Sequence, residues 1–301
     1  MRADCCGVRI DVHAAVSFMA IHARVLDRRR LQLLIGEADP GEVLAALDAY
    51  RNPDRGYGWG LEPDLRSAES QPAAAMHALE VLAEAAPATT SRAVELCDWL
   101  REHTLADGGL PFALPIDDPA GCAPFWVQAD PRTSSLQMTA QVAVKAHLLG
   151  RHQPNVAGHP WLAMATEYCL EAIRGMDGAP QAYELLFALQ FLDAVAEHVP
   201  DARVLIEQLG RYLPADGSMH VEGGATDEVL DPLDFAPHPD RPVRDLFSAE
   251  VIAADLERLA RLQQPDGGWL VDFASYSPAA ALEWRGYATV HAVNILQSNA
   301  R

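Results

Sequence analysis

The sequence predicts an all-α protein assembled from repeated helical hairpins, and three observations carry that reading. Residues 262–269 read Leu-Gln-Gln-Pro-Asp-Gly-Gly-Trp, and weaker copies stand at Asn52-Pro53-Asp54-Arg55-Gly56-Tyr57-Gly58-Trp59, Ala106-Asp107-Gly108-Gly109-Leu110-Pro111-Phe112, Met176-Asp177-Gly178 and Ala215-Asp216-Gly217-Ser218-Met219. Their aspartates at 54, 107, 177, 216 and 266 recur about every fifty residues, which is the mark of a repeat architecture. Each copy follows an amphipathic run and precedes a loop and a further apolar run. Half of the 301 residues are hydrophobic, enough for a sizeable core, and a closed helical fold of this length need not split, so residues 1–301 are read as one domain.

The turn has a physical logic. Pro265 disfavours helix in the residue before it, and Gly267 and Gly268 tolerate positive φ, so a helix can end near Gln264 and reverse. Gln263 or Gln264 then bonds across the turn while Trp269 packs back on the helix just left. Trp59, Phe112 and Trp269 are expected to occupy equivalent places.

Taken in order, residues 1–12 are expected to be flexible. Residues 13–34 carry Val16, Met19, Ala20, Ala23, Leu26 and Leu33 at helical spacing, and Arg28-Arg29-Arg30 reads as a solvated end. Residues 41–50 form a short helix into the first turn, and 72–86 the next helix, stopped by Pro87. Residues 89–105 lead to the second turn, followed by a Pro- and aromatic-rich loop over 111–131. Thr133 or Ser134 caps a helix running to about 149. Helices over 159–173 and 179–198 flank the third turn, and 201–213 leads to the fourth. The stretch 215–241 is longer than compact domains tolerate without a purpose, which marks it as a functional loop. Helix resumes from 242 or 248 to 263, and a last helix covers 278–297. The count is about ten.

The pattern Gln263-x-x-Asp266-Gly267-Gly268-Trp269 resembles the repeat of squalene and terpene cyclases and of protein prenyltransferase β subunits. At repeat level the resemblance covers residues 43–296. It implies an α/α toroid, six helical hairpins closed into a ring of ten to twelve helices, with a small apolar substrate in a central cavity. The shortfall from twelve helices means either an incomplete ring or a hairpin replaced by loop at 215–241. The chain departs from the chemistry of these families. Asp-x-Asp-Asp is absent, Asp231-Pro232-Leu233-Asp234 has the wrong spacing, Asp-Asp-x-x-Asp is absent, and Tyr287-Ala288-Thr289 puts alanine where the prenyltransferase zinc histidine stands. No structural zinc is expected.

In such a ring the segment after each turn leads to the start of an inner helix, so those starts should rim the cavity. Glu62 and Asp64 follow the first turn, Asp231 and Asp234 the fourth, and Asp272 the fifth, each among apolar or aromatic residues. An apolar surround raises a carboxyl's pKa and can keep it protonated as a general acid, although the same residues also serve as helix caps. These five are the candidate catalytic residues, expected to converge at one end of the cavity. Trp59, Arg66, Trp126, Asp130, Phe235, Tyr276, Trp284 and Arg285 are the candidate substrate contacts. His77, His147 and His291 read as packed helical residues, and Lys145, the only lysine, is discounted because it sits within a helical pattern. No cofactor is expected, and magnesium or calcium could be held only by the oxygen-rich loop 216–245.

Composition excludes several classes. A formal net charge of −19 argues against nucleic acid and anionic membrane surfaces. No Gly-Lys-Ser/Thr exists for a P-loop, and Gly-x-Ser-x-Gly and His-Glu-x-x-His are both missing. Cys5, Cys6, Cys97, Cys122 and Cys169 lack paired spacing and read as free thiols, and no run has membrane-spanning length. A cytoplasmic protein is expected, its oligomeric state unspecified. The leading functional reading is a terpene-cyclase-like lyase or isomerase acting on an isoprenoid or other apolar substrate. A glycan hydrolase or lyase on a toroid would instead show two carboxylates across an open, Trp-lined groove, and a non-catalytic ligand-binding scaffold is the third reading.

Overall fold

The computed structural model describes residues 2–5, 8–88 and 90–300. The protein is all-α, with fourteen α-helices among the described residues. Two antiparallel strands, β1 (Arg2–Cys5) and β2 (Val8–Asp11), occupy the segment expected to be flexible. Then come α1 (Val12–His22), α2 (Val25–Leu34), α3 (Pro40–Leu47), α4 (Pro72–Glu84), α5 (Ser91–Glu102), the single turn α6 (Pro124–Val127) and α7 (Leu136–Gly150). The chain continues through the single turn α8 (Pro154–Ala157), α9 (Pro160–Arg174), α10 (Ala182–Val195) and α11 (Ala202–Gly210). A two-residue hairpin, β3 (Met219–His220) with β4 (Val229–Leu230), leads to the single turn α12 (Pro232–Phe235), and α13 (Ala249–Arg261) and α14 (Pro278–Ser298) finish the order. Thr89, the expected start of the fifth helix, and Cys6 lie outside the described residues.

Burial separates inner from outer helices. Eleven consecutive residues of α4, Pro72 to Leu82, are buried, as are most of α7 and α10, so these helices are covered all round. The helices α5, α11 and α13 bury one stripe only, such as Leu205, Ile206 and Leu209 on α11. Packing runs from α2 to α3, α4, α7, α10, α12, α13 and α14, and α14 packs back on α2. The stretch 215–241 holds the strand pair β3–β4 and the single turn α12 rather than a full helix.

Two boundaries differ from expectation for physical reasons. The helix expected over 13–34 breaks at Ala23 and Arg24, both extended, making α1 and α2 a hairpin. The break lets Arg24 reach the carbonyls of Gly60 and Leu61 while also pairing with Asp27. The run Arg28-Arg29-Arg30 is no solvated end, because Arg30 is buried among carboxylates.

The repeat turns share one geometry. In four of them the aspartate side chain accepts the backbone N–H two residues on: Asp54 from Gly56, Asp107 from Gly109, Asp216 from Ser218 and Asp266 from Gly268. The residue after each aspartate has positive φ, 77° at Arg55, 91° at Gly108, 79° at Gly217 and 96° at Gly267. The position equivalent to Trp269 is therefore Tyr57, and Leu110 in the second turn; all three are buried. The expectation that Trp59 and Phe112 share this place was two residues off. Trp59 is 58% exposed, with its indole N–H on Asn52. Asp177-Gly178 occupies the right connection but lacks the geometry, since Gly178 does not take positive φ. At the fifth turn Trp269 donates to the Leu259 carbonyl on the helix just left, as its spacing implies, and Gln263 bonds across the turn to the Gly267 carbonyl. Gln263 also accepts from the backbone N–H of Asp11 and donates to its carbonyl, joining the last turn to the first helix.

Candidate functional site

Polar side chains spaced one turn apart meet between α2, α4, α7 and α14. On α4 these are His77, Glu80 and Glu84, and on α14 Trp284, Tyr287 and His291, both sets at i, i+3 and i+7, the spacing of one helix face. Arg30 of α2 reaches across to Glu80 at 2.8 Å and Glu84 at 2.6 Å, with Asp27 at 3.6 Å behind it. Lys145 of α7 pairs with the other oxygen of Glu80 at 2.7 Å, and the Tyr287 hydroxyl donates to that oxygen at 3.2 Å. Burial alone would raise the Glu80 carboxyl, but Lys145 and Arg30 hold it well below the ordinary range. Burial, and then the negative charge of Glu80, push the Tyr287 phenol far up, so it stays a donor. The Arg30 guanidinium lies 5.2 Å above the Tyr287 ring, adding a cation–π contact.

Beside this network is a cavity of about 650 Å³ at the C-terminal ends of α2, α4, α7 and α10. Its wall includes Leu33, Leu34, Val144, Leu148, Val290 and Ile295. Its polar groups include Arg30, Glu80 and Lys145 together with His238, His291 and Asn294. Burial drives the His291 imidazole down to about 4, so the ring is neutral at pH 7. A second hollow of about 490 Å³, more open to solvent, is lined mainly by α9, with His147 of α7.

The expectation placed the site at the starts of the inner helices, whereas the cavity lies at their ends. Of the residues expected to form the site, only Phe235 lines it. Glu62 and Asp64 are buried on the other side of the Glu80 network. Glu62 bonds the His77 Nε2 at 2.9 Å, and the His77 Nδ1 is buried without a partner. Asp64 accepts from the Trp284 indole at 2.6 Å and from the Tyr276 backbone at 3.1 Å, and burial raises its carboxyl. Asp231, Asp234 and Asp272 belong to a second group. Asp231 pairs with Arg258, Asp234 accepts the Asp231 backbone N–H at 2.7 Å, and Asp272 accepts that of Val229. Burial raises Asp231 and Asp272 and pushes Asp234 up to about 7. Among the described residues no hydrogen bond or ion pair joins the partners of the two groups.

The expected substrate contacts mostly have structural partners. Arg66 pairs with Glu283, Trp126 stacks on Phe112, and Tyr276 meets Phe125 edge-on at the surface. Asp130 is paired with Arg132 and exposed. Arg285 holds Asp266 and covers the Phe18 ring, which fastens the fifth turn. Trp59 lies on the outside, as above. The residues that sequence reasoning passed over are Arg30, Glu80, Lys145, Tyr287 and His291. Lys145 was set aside as helical, and it is helical, but its face turns inward. His77 and His291 are not simply packed, since one is bonded to Glu62 and the other lines the cavity.

Among the described residues no group of three or more His, Cys, Asp or Glu is placed to hold a metal ion. Cys97, Cys122 and Cys169 are free thiols, and no helix is long and apolar enough to cross a membrane. No protein-family description matches this chain, and no curated protein is similar to it in sequence.

Proposed function

We propose that the chain is an α/α toroid of the squalene- and terpene-cyclase kind that binds and turns over a small apolar substrate in its central cavity. The toroid reading is supported by the cyclic order of helix packing and by four turns of one geometry, all in outer-to-inner connections. The observation that carries the substrate class is the cavity itself, walled by leucine, valine and isoleucine with no tryptophan. A sugar site would present the opposite, an open groove with aromatic platforms and two unpaired carboxylates. At roughly 30 Å³ per water-sized group, the 650 Å³ holds about twenty such groups. A sesquiterpene- or diterpene-sized chain matches that space.

Asp234 is the carboxyl best suited to supply a proton. Burial keeps it half-protonated near neutral pH, its backbone carbonyl is held by cavity-lining Gln190, and the next residue, Phe235, forms part of the wall. The test is incubation with polyprenols, prenyl diphosphates and squalene-like lipids, with product analysis and direct binding. Turnover or binding confined to the shorter chains is the expected result. Absence of both across the panel removes the reading.

A further inference from the structure

The polar groups around the cavity are unevenly satisfied. Every carboxylate on its wall is engaged: Glu80 by Arg30 and Lys145, Glu84 by Arg30, and Asp193 by Arg241 and the Val243 backbone. The nitrogen-bearing groups are not. Among the described residues the side chains of His238, His291, Asn294, Arg151 and His152 make no hydrogen bond or ion pair, and the Lys145 ammonium spends one of its three donors, on Glu80. Arg151 is exposed, and its charge reaches Glu197 without pairing with it. His291 and Asn294 stand one turn apart on α14. Lys145 faces the same space from α7, with Arg151 and His152 two turns on. His291, His238 and Lys145 lie within electrostatic reach of one another. Unfilled donors over filled acceptors, in a protein of net charge −19, are a local reversal of the molecule's electrostatics.

We infer that the central cavity takes a long-chain carboxylic acid as its monoanion, the apolar body along Leu33, Leu148 and Val290 and the carboxylate toward His291, Asn294 and Lys145, with Arg151 completing the site. The inference rests on the apolar-cavity reading above and adds the head group. His291, Asn294 and Lys145 are half-buried while His238, Arg151 and His152 are exposed, and a cationic or purely hydrocarbon ligand that displaces water from the half-buried three gives their donors no acceptor in return, which is costly. A diphosphate carries more negative charge than the wall can balance, because Arg30, Lys145 and Arg241 are already matched to acids and only Arg151 is unpaired. One carboxylate, with two oxygens and a single charge, suits one free cation and a few neutral donors. About twenty heavy atoms, by the same volume argument, is the size of palmitate.

Calorimetric titration below the micelle threshold, on the full chain, compares palmitate with hexadecanol, hexadecyl phosphate and farnesyl diphosphate. Palmitate is expected to bind at least about tenfold more tightly than hexadecanol, the ratio expected of a charge-assisted hydrogen bond. Arg151→Ala, at an exposed position where folding is not at risk, and His291→Leu should each raise the palmitate Kd about tenfold and leave hexadecanol unchanged. Leu148→Trp, filling the cavity from a half-buried site, should abolish binding of both, and Ala194→Leu serves the same purpose should the tryptophan variant not fold. Equal binding of acid and alcohol overturns the head-group inference and leaves the apolar cavity standing. Tighter binding of either phosphate overturns the monoanion. Binding unaffected by the filling variants puts the ligand elsewhere, and no binding by any compound overturns both readings.

Discussion

At the level of single residues, Asp234 and Glu80 are two acids shifted in opposite directions, and pH separates them. Asp234 has its folded pKa raised to about 7 by burial, above the roughly 4 of an unfolded aspartate. The folded state therefore binds more protons between those values, and the stability it contributes at low pH is lost as pH rises through that window. Asp234→Asn keeps an acceptor for the Asp231 N–H and removes the titration. The variant's Tm should hold steady relative to wild type at pH 4 and gain on it toward pH 7, with turnover abolished. Parallel Tm profiles would refute the raised pKa, and strong destabilisation with activity per folded molecule intact would make Asp234 a cap. Glu80, held low by Lys145 and Arg30, contributes stability above about pH 4 that is lost on further acidification. Breaking its network is a matter of which cation goes. Arg30→Met leaves Asp27, Glu80 and Glu84 short of their shared partner and should cost about 3–5 kcal/mol in urea denaturation. Lys145→Met leaves Glu80 its bonds to Arg30 and Tyr287 and should cost distinctly less, with equal losses counting against Arg30 as the central ion.

Among the elements, the turns were the most legible and the inner helices the least. The repeat aspartates marked four connections, three of them Asp-Gly and one Asp54-Arg55, because an aspartate that accepts a neighbouring N–H, followed by a positive φ, is a local device needing no distant partner. Their side-chain register was misread because Trp59 looks like Trp269, whereas counting from the aspartate selects Tyr57. The inner helices were misread for a different reason. Charged residues in an amphipathic pattern normally face water, so Arg30 read as part of a solvated end, Lys145 was discounted as merely helical and Glu80 was not singled out; here the three meet in a buried polar network. The i, i+3, i+7 recurrence of His77, Glu80 and Glu84 and of Trp284, Tyr287 and His291 was in the sequence, without anything local to give its direction. The turns make a paired prediction. Gly267 has φ 96°, and a Cβ there would lie 2.1 Å from the Ala14 carbonyl oxygen, so Gly267→Ala should lose more than about 2 kcal/mol. Arg55 holds the equivalent angle with a side chain, and Arg55→Gly should be neutral or stabilising by up to about 1 kcal/mol. A destabilised Arg55→Gly would mean that the Arg55–Glu102 ion pair outweighs the backbone strain.

For the whole molecule, the all-α class followed from spacing and composition, and the stretch 215–241, marked by its length, holds a strand pair and one helical turn. The position of the cavity did not follow, because which end of a set of packed helices stays hollow depends on how large the capping loops are. Here the loops around Asp64, Ala123 and Tyr276 are knitted together at one end, with Ala123 donating to the Asp64 carbonyl and Tyr276 to its carboxylate. A ligand that fills the hollow at the other end should raise Tm with concentration, by about 2.7 kcal/mol of stability at a hundredfold excess over Kd. A flat Tm across that range would mean that the bound compound does not prefer the folded ring. The clasp between Gln263 and Asp11 bears on how such a molecule comes into being. It spans 252 residues, and closing a loop of that length costs about 5 kcal/mol in chain entropy before any contact repays it. The neighbouring inner helices α4, α7 and α10 meet at short sequence separation and can assemble while the ribosome is still adding α13. The first helix has to wait for the last turn. Nascent chains arrested before residue 262 should protect the amides of α4, α7 and α10 against hydrogen exchange and leave those of α1 open, and α1 and α14 should gain protection together once the clasp exists.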